Sequence, residues 1–216
     1  MLDVIRHNLP FLISGLDVTI VISLAASLAG TILGLVVAII RYLRIPVLSQ
    51  AAALYVGFVR GTPLLVMLFI CYFALPALLA YRTTAFRATI LGFSLFIGAY
   101  LAEDFRAGLQ SIRPSLIQAA LGTGLTRVQA LRLIIVPLAV RNVVPPVFSQ
   151  YVRIFKFTSV ASVIGVPELT GSALLINARE FQPVTLLVAT ALTYLVFCTG
   201  ISLVGRLLYA RLAVSS

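Results

Sequence analysis

Apolar residues in this chain run in long blocks instead of alternating with polar ones at a strand or helix period. A segment apolar on every side is a helix surrounded by lipid or by other apolar helices, and about 20 such residues cross a bilayer. The first block is Gly15 to Ile40, closed by Arg41, Arg44 and Pro46. The second is Thr62 to Tyr81, with Val47 to Val59 either its lower half or a separate interfacial helix. The third, Ala88 to about Ala102, is short unless it continues through Glu103 and Asp104. A less hydrophobic stretch from Arg106 to Arg141 follows. The fourth block runs from near Val143 to about Val166, interrupted by Arg153 and Lys156, and the fifth is Pro183 to Val204, closed by Arg206 and Arg211. The pattern predicts an all-α integral membrane protein of about five spans in a single domain, residues 1–216. From Phe11 to Ile40 the apolar run has 30 residues and includes Asp17. That is longer than the roughly 7–15-residue core of a signal peptide, so a retained span is expected.

Composition agrees: 61% of the 216 residues are hydrophobic, 10% are charged, and mean hydropathy is +1.12. Such a chain lacks the polar surface that a water-facing domain needs. Its net charge of +10, from 16 Lys+Arg against 6 Asp+Glu, has no basic domain outside the spans to carry it. Nucleic acid is therefore not an expected partner. Sorted by position, the charge becomes topology. Arg41, Arg44 and Arg60, then Arg106, Arg113, Arg127, Arg132 and Arg141, then Arg206 and Arg211 fall on one side. Arg6, Arg82, Arg87 and Arg179 fall on the other. Cationic loops stay cytoplasmic, which predicts the N-terminus outside and the C-terminus inside, as an odd number of spans requires.

Enzymatic chemistry has little material. There is one histidine, His7, and the two cysteines, Cys71 and Cys198, lie in apolar runs without metal-like spacing. No GxxxxGK[ST] occurs, and Gly122-Thr123-Gly124 neither follows a strand nor has the third glycine of a dinucleotide loop. ATP, if used, must be hydrolysed by another chain. Gly30 and Gly34 form a GxxxG, which suits either packing within one subunit or dimerisation. Glu103 and Arg106, three residues apart, are placed to form a helical ion pair or a gate at the inner end of the third span.

The stretch from 109 to 138 carries the densest local signals. Ser115 with Gln118 fits a capping box opening a short helix through Ala119, Ala120 and Leu121. Gly122-Thr123-Gly124 breaks it. Thr126 with Gln129 is a second capping box, predicting a helix through Arg132 to Val136 that stops at Pro137. This helix-turn-helix either docks a partner or rests on the membrane surface.

At these residues the chain resembles the permease subunits of bacterial ABC importers. Their cytoplasmic loop reads E-A-A, three residues, G, nine residues, I-x-L-P. Here Gln118-Ala119-Ala120, Gly124 and Ile134-Ile135-Val136-Pro137 keep the spacing, with Gln for Glu and Val for Leu. Other segments are similar to the polar amino acid branch: Arg60-Gly61-Thr62-Pro63-Leu64-Leu65; Ala99-Tyr100-Leu101-Ala102-Glu103 with Arg106 and Gly108-Leu109-Gln110-Ser111-Ile112; and Thr158-Ser159 with Ser162-Val163-Ile164-Gly165-Val166-Pro167-Glu168-Leu169-Thr170. The resemblance implies a type I ABC importer permease in the bacterial inner membrane. Two such permeases, identical or homologous, would form the path. ABC ATPase subunits would bind the 109–138 loop and use ATP and Mg, and this chain would bind no cofactor. An extracytoplasmic binding protein would deliver the amino acid. Ser115, Gln118, Ala119, Ala120, Gly122, Gly124, Thr126 and Pro137 would then belong to the ATPase-coupling loop.

Where the family reads K-D-T-S, this chain has Lys156-Phe157-Thr158-Ser159, without the Asp. A carboxylate in a span is expensive and usually functional, so its absence leans away from a cationic substrate and towards a neutral or acidic one. Arg153, Lys156, Phe157, Thr158 and Ser159 are the candidate path residues, with Arg153 and Lys156 alternatively snorkelling to the interface. The alternative function is an ion-gradient-driven secondary carrier for a small polar solute, although clear inverted repeats are missing.

Overall fold

A computed structural model describes the backbone of residues 2–214 and the side chains of residues 3–211. Every regular element among them is helical: α1 (Leu2–Tyr42), α2 (Leu48–Gly61), α3 (Leu64–Phe69), α4 (Leu75–Leu79), α5 (Ala85–Gln110), α6 (Pro114–Gly122), α7 (Arg127–Ala130), α8 (Val136–Phe157), α9 (Leu169–Glu180) and α10 (Pro183–Val214). α1 has 41 residues, some 60 Å at about 1.5 Å per residue, or roughly twice the hydrocarbon thickness. It begins well before Gly15, with Pro10 inside it. α5 continues through Glu103 and Asp104 to Gln110, and α10 continues past Val204 to Val214.

Side-chain contacts give the helix directions. Gly30 lies against Ile97, Ser94 and Gly98, and Gly34 against Gly98 and Leu101, so α1 and α5 run in the same direction. A Cβ added at Gly34 would come within 2.9 Å of the Gly98 carbonyl, so the GxxxG serves close packing within the subunit. Because α1 and α5 are parallel, the chain between them must recross the bundle. The segment Leu64–Leu79 does so, bent by 113° from α2. That bend rules out Val47–Val59 as a straight lower half of the second span. Thr62-Pro63 breaks the helix, since the residue before proline avoids the α region.

α8 is antiparallel to α5: Gln150 Nε2 donates to Asp104 at 2.8 Å, the Arg153 guanidinium lies over the Tyr100 ring, and Phe157 meets Phe96 edge-on. The fourth candidate span, Arg127–Ile164, ends close to the expected Val166 but starts earlier than Val143. After α8 a 3₁₀ segment, Thr158–Ile164, leads to α9, which runs antiparallel to the first half of α1. The Leu169 amide donates to Thr19 Oγ1 at 3.0 Å, and Asn8 Nδ2 to Glu180 at 3.4 Å. α9 escaped the sequence reading because its 12 residues are too few to span and include Asn177, Arg179 and Glu180.

Two corrections concern the 109–138 loop. Ser115 does not cap α6; Arg113 is the N-cap residue, with no side-chain bond, and Pro114 occupies the first helical turn. Proline there has its φ preset and lacks only an amide that would be unpaired anyway, so it starts the helix ahead of Ser115. Nor does Pro137 stop a helix. α7 passes through a π-turn, Leu131–Ile135, directly into α8. A proline ring clashes with the carbonyl four residues earlier, here Leu133, inside the widened turn. Pro76 stands in the same relation to the π-turn Ile70–Ala74.

Candidate functional site

Three regions hold the polar side chains. The first is centred on Glu103, near the ends of α1 and α5, where Arg60 reaches in from α2. Its carboxylate is paired with Arg41 from α1 and with Arg106 (2.6 Å), while Arg60 from α2 lies 4.0 Å away. Arg60 and Arg153 flank the Tyr100 ring, with guanidinium carbons 5.3 and 5.1 Å from its centroid. Arg106 also donates to Gln110 at 2.9 Å. The pair Glu103–Arg106 is thus one edge of a network joining four helices. Arg41, Arg60 and Tyr100 were missed as partners. The available signal was stoichiometric: two carboxylates, Glu103 and Asp104, accompany ten arginines assigned to this end.

The second region is the 109–138 loop. Thr126 Oγ1 accepts from the Gln129 amide at 3.3 Å and Gln129 Oε1 accepts from the Thr126 amide at 2.8 Å, a reciprocal capping box. Gly124, at φ +88°, supplies the left-handed turn between α6 and α7. Gly122 remains helical, and Ala119 and Ala120 lie on α6, with Ala120 the buried one. Gln118 is exposed, as are Leu116, Leu121, Val128, Leu131 and Leu133. A small core of Ile112, Ile135 and Ala139 holds the loop to the foot of α8. Ser111 accepts from Asn142 Nδ2 at 2.8 Å there.

The third region is a groove of about 540 Å³ between α8 and α10. Lys156 and Ser159 line it with Tyr194, Cys198, Thr199 and Arg206. The other three path candidates point elsewhere. Arg153 lies on Tyr100, Phe157 packs on Phe96, and Thr158 is fully buried, donating to the Phe155 carbonyl at 2.8 Å. Tyr194 and Arg206 were absent from the sequence-based set because nothing local marks which face of a uniformly apolar helix meets a groove.

Tyr194 also reaches a buried cluster behind the groove. Its hydroxyl donates to Glu168 Oε2 at 2.9 Å and lies 3.1 Å from Thr170 Oγ1. Glu168 is fully buried and caps α9, accepting from the Gly171 amide at 2.7 Å and the Thr170 amide at 2.9 Å. The cluster fastens the start of α9 to α10.

Residues 30–214 match the family model described as binding-protein-dependent transport system inner membrane component. The chain belongs to that family. Among the relatives of this inner membrane component, the probable amino-acid ABC transporter permease protein YckA of Bacillus subtilis is 37% identical over 193 residues, covering 89% of this chain and 85% of the relative. The glutamine transport system permease protein GlnP of Escherichia coli K12 is 33% identical over 207 residues, covering 95% and 94%. A solved structure described as an amino acid ABC transporter with histidines superposes with a TM-score of 0.90 at 30% identity, covering 97% of both chains. The MetNI methionine ABC transporter, at 16% identity and a TM-score of 0.77, shares the fold. This protein is an inner membrane component of a binding-protein-dependent transport system, with four to five helices long and apolar enough to cross a membrane among the described residues.

Proposed function

We propose that this chain forms a translocation path with a second permease subunit and couples it to separate ATPase subunits through the 109–138 loop. The observation that carries this reading is the form of that loop. α6 and α7 make a capped helix-turn-helix that projects from the bundle, displays Leu116, Leu121 and Val128, and continues without a break into α8. A push on α7 is therefore transmitted along α8 to Lys156 and Ser159 at the groove. ATP and Mg act in the partner, and they shift this subunit only through different affinities for its two states. An extracytoplasmic binding protein supplies the amino acid. Family membership favours this ATP-driven reading over the ion-gradient carrier.

The groove supports the substrate lean. Its lining includes Lys156 and Arg206 and no carboxylate, which suits a neutral or acidic amino acid whose carboxylate they hold. Deleting Gly122–Gly124 tests the docking assignment. Membrane insertion is expected to persist while the ATPase is lost from pull-downs, and normal recruitment would remove the loop from this role. A thermal-shift screen of the binding protein tests the substrate lean; stabilisation confined to arginine or lysine would overturn it.

A further inference from the structure

We propose that the pocket between the ends of α1 and α5 and the start of α2 holds the phosphate of an anionic membrane lipid. The cavity is about 450 Å³, and its polar lining includes Arg41, Arg44, Arg106, Gln110, Ser49 and Gln50. Arg41 and Arg106 enter it with one carboxylate between them, Glu103, which Arg60 also approaches. Arg44 has no ion pair or hydrogen bond through its side chain among the described residues. The lining therefore carries three guanidiniums and no carboxylate of its own. Guanidiniums, amide side chains and a hydroxyl around a cavity of this size match a phosphodiester, which takes forked hydrogen bonds from arginine.

The turn is held in this form at a cost. Arg44 and Val47 both have positive φ, 53° and 65°, unfavourable for a residue with a Cβ and most of all for β-branched valine. Those two residues turn the chain so that Arg44 and the first turn of α2 face the same cavity. No acidic residue in that turn neutralises the local positive potential.

A lipid is favoured over a free anion by what borders the pocket. Val47, which lines it, is exposed, as are Tyr42, Leu43 and Leu48, next in sequence to lining residues. Beyond Leu48 at the start of α2, Ala51, Leu54 and Phe58 form an outward apolar stripe along α2, away from the face that buries Ala52, Val56 and Val59. A headgroup phosphate in the cavity leaves an acyl chain beginning where that stripe begins, which a soluble phosphate does not use. Basic pockets between helices at a cytoplasmic membrane face are suited to such headgroups.

Native mass spectrometry of the full-length permease in detergent tests the proposal, titrating phosphatidylglycerol, phosphatidylcholine and glycerol 3-phosphate separately. The expected result is a saturable phosphatidylglycerol adduct that forms about fivefold less readily with Arg44→Gln and with Gln50→Glu, each change removing or opposing one charge near the phosphate. Arg82→Gln, at the opposite end of the bundle, is the control and should leave the adduct unchanged. Size-exclusion profiles identify any variant that misfolds; because the Arg44 side chain makes no ion pair or hydrogen bond among the described residues, its replacement removes none of these. Equal adduct formation by Arg44→Gln, by Gln50→Glu and by the parent chain would overturn the site. Equal binding of phosphatidylcholine, or displacement of the lipid by glycerol 3-phosphate at matched concentration, would overturn the assignment to an anionic lipid.

Discussion

Glu168 is the side chain whose replacement should be felt most directly. A fully buried carboxylate is tolerated only when its oxygens are occupied, and here two backbone amides and the Tyr194 hydroxyl occupy them. Loss of a helix cap alone costs about 0.5–2 kcal/mol. Each donor left unpaired in a buried site adds about 1–3 kcal/mol. Glu168→Ala is therefore expected to lower the thermal unfolding midpoint in detergent clearly, with Glu168→Gln intermediate because one amide oxygen remains to accept. Equal stability of Glu168→Ala and the parent would show that the cluster does not fasten α9 to α10. Glu103 makes a contrasting case, since it screens arginines from one another. Glu103→Gln leaves Arg41, Arg60 and Arg106 facing each other and should destabilise more than Arg41→Gln, which leaves the carboxylate with Arg106. Thermal midpoints of the two variants, compared at low and high salt, check this, because screening should narrow the difference.

Among the elements, the junction between α7 and α8 decides whether the loop is rigidly joined to the bundle. The π-turn Leu131–Ile135 moves the Leu133 carbonyl out of the path of the Pro137 ring. Pro137→Ala removes the reason for that widening, so the turn should relax to α geometry and rotate α7 by about one residue's angle, roughly 100°, relative to α8. Membrane insertion and thermal stability should be kept, while ATP-driven uptake in proteoliposomes falls. Unchanged uptake would mean that the register of α7 is not transmitted. Gly124→Val probes the other end of α7. At φ +88° a β-branched residue is strained even in open space, so recruitment of the ATPase in pull-downs should fall while α8 is unaffected. The same elements show what was legible in sequence. The Thr126–Gln129 cap and the Gly124 turn were readable because each depends on chemistry within a few residues. Pro137 was misread as a stop because a widened turn leaves no mark in composition. Ser115 was misread as a cap because Pro114 satisfies the same start signal one residue earlier. The four to five candidate spans were visible as apolar blocks, the fourth ending near Val166 as expected, whereas α9 was missed because it is too short and too polar to register as membrane. The arginines around Glu103 and the split of 153–159 between groove and core are facts of packing between distant helices, which no local pattern encodes.

For the whole molecule, the helix directions convert a charge count into a testable orientation. α1 and α5 are parallel, α8 opposes α5, α9 opposes α1, and Phe155 stacks on Phe197 while Phe148 meets Gly205, so α10 opposes α8. The turn after α1, the 109–138 loop and the end of α10 therefore share one face, and the links 80–84 and 181–182 share the other. The first face holds Arg41, Arg44, Arg113, Arg127, Arg132 and Arg211; the second holds Arg82, Arg87 and Arg179. Because translocation of flanking cations is disfavoured, we propose that the first face lies in the cytoplasm. Single cysteines at Thr83 and Val128 decide this, as Val128 is 71% exposed and Thr83 lies in the link before α5. Cys71 and Cys198 are buried, so they should contribute little background. In intact spheroplasts a membrane-impermeant maleimide should label Thr83→Cys, whereas Val128→Cys should react only after permeabilisation. Labelling of Val128→Cys in intact cells would invert the molecule. It would also place the capped loop on the side without ATP, so the coupling role and the orientation fail together or stand together.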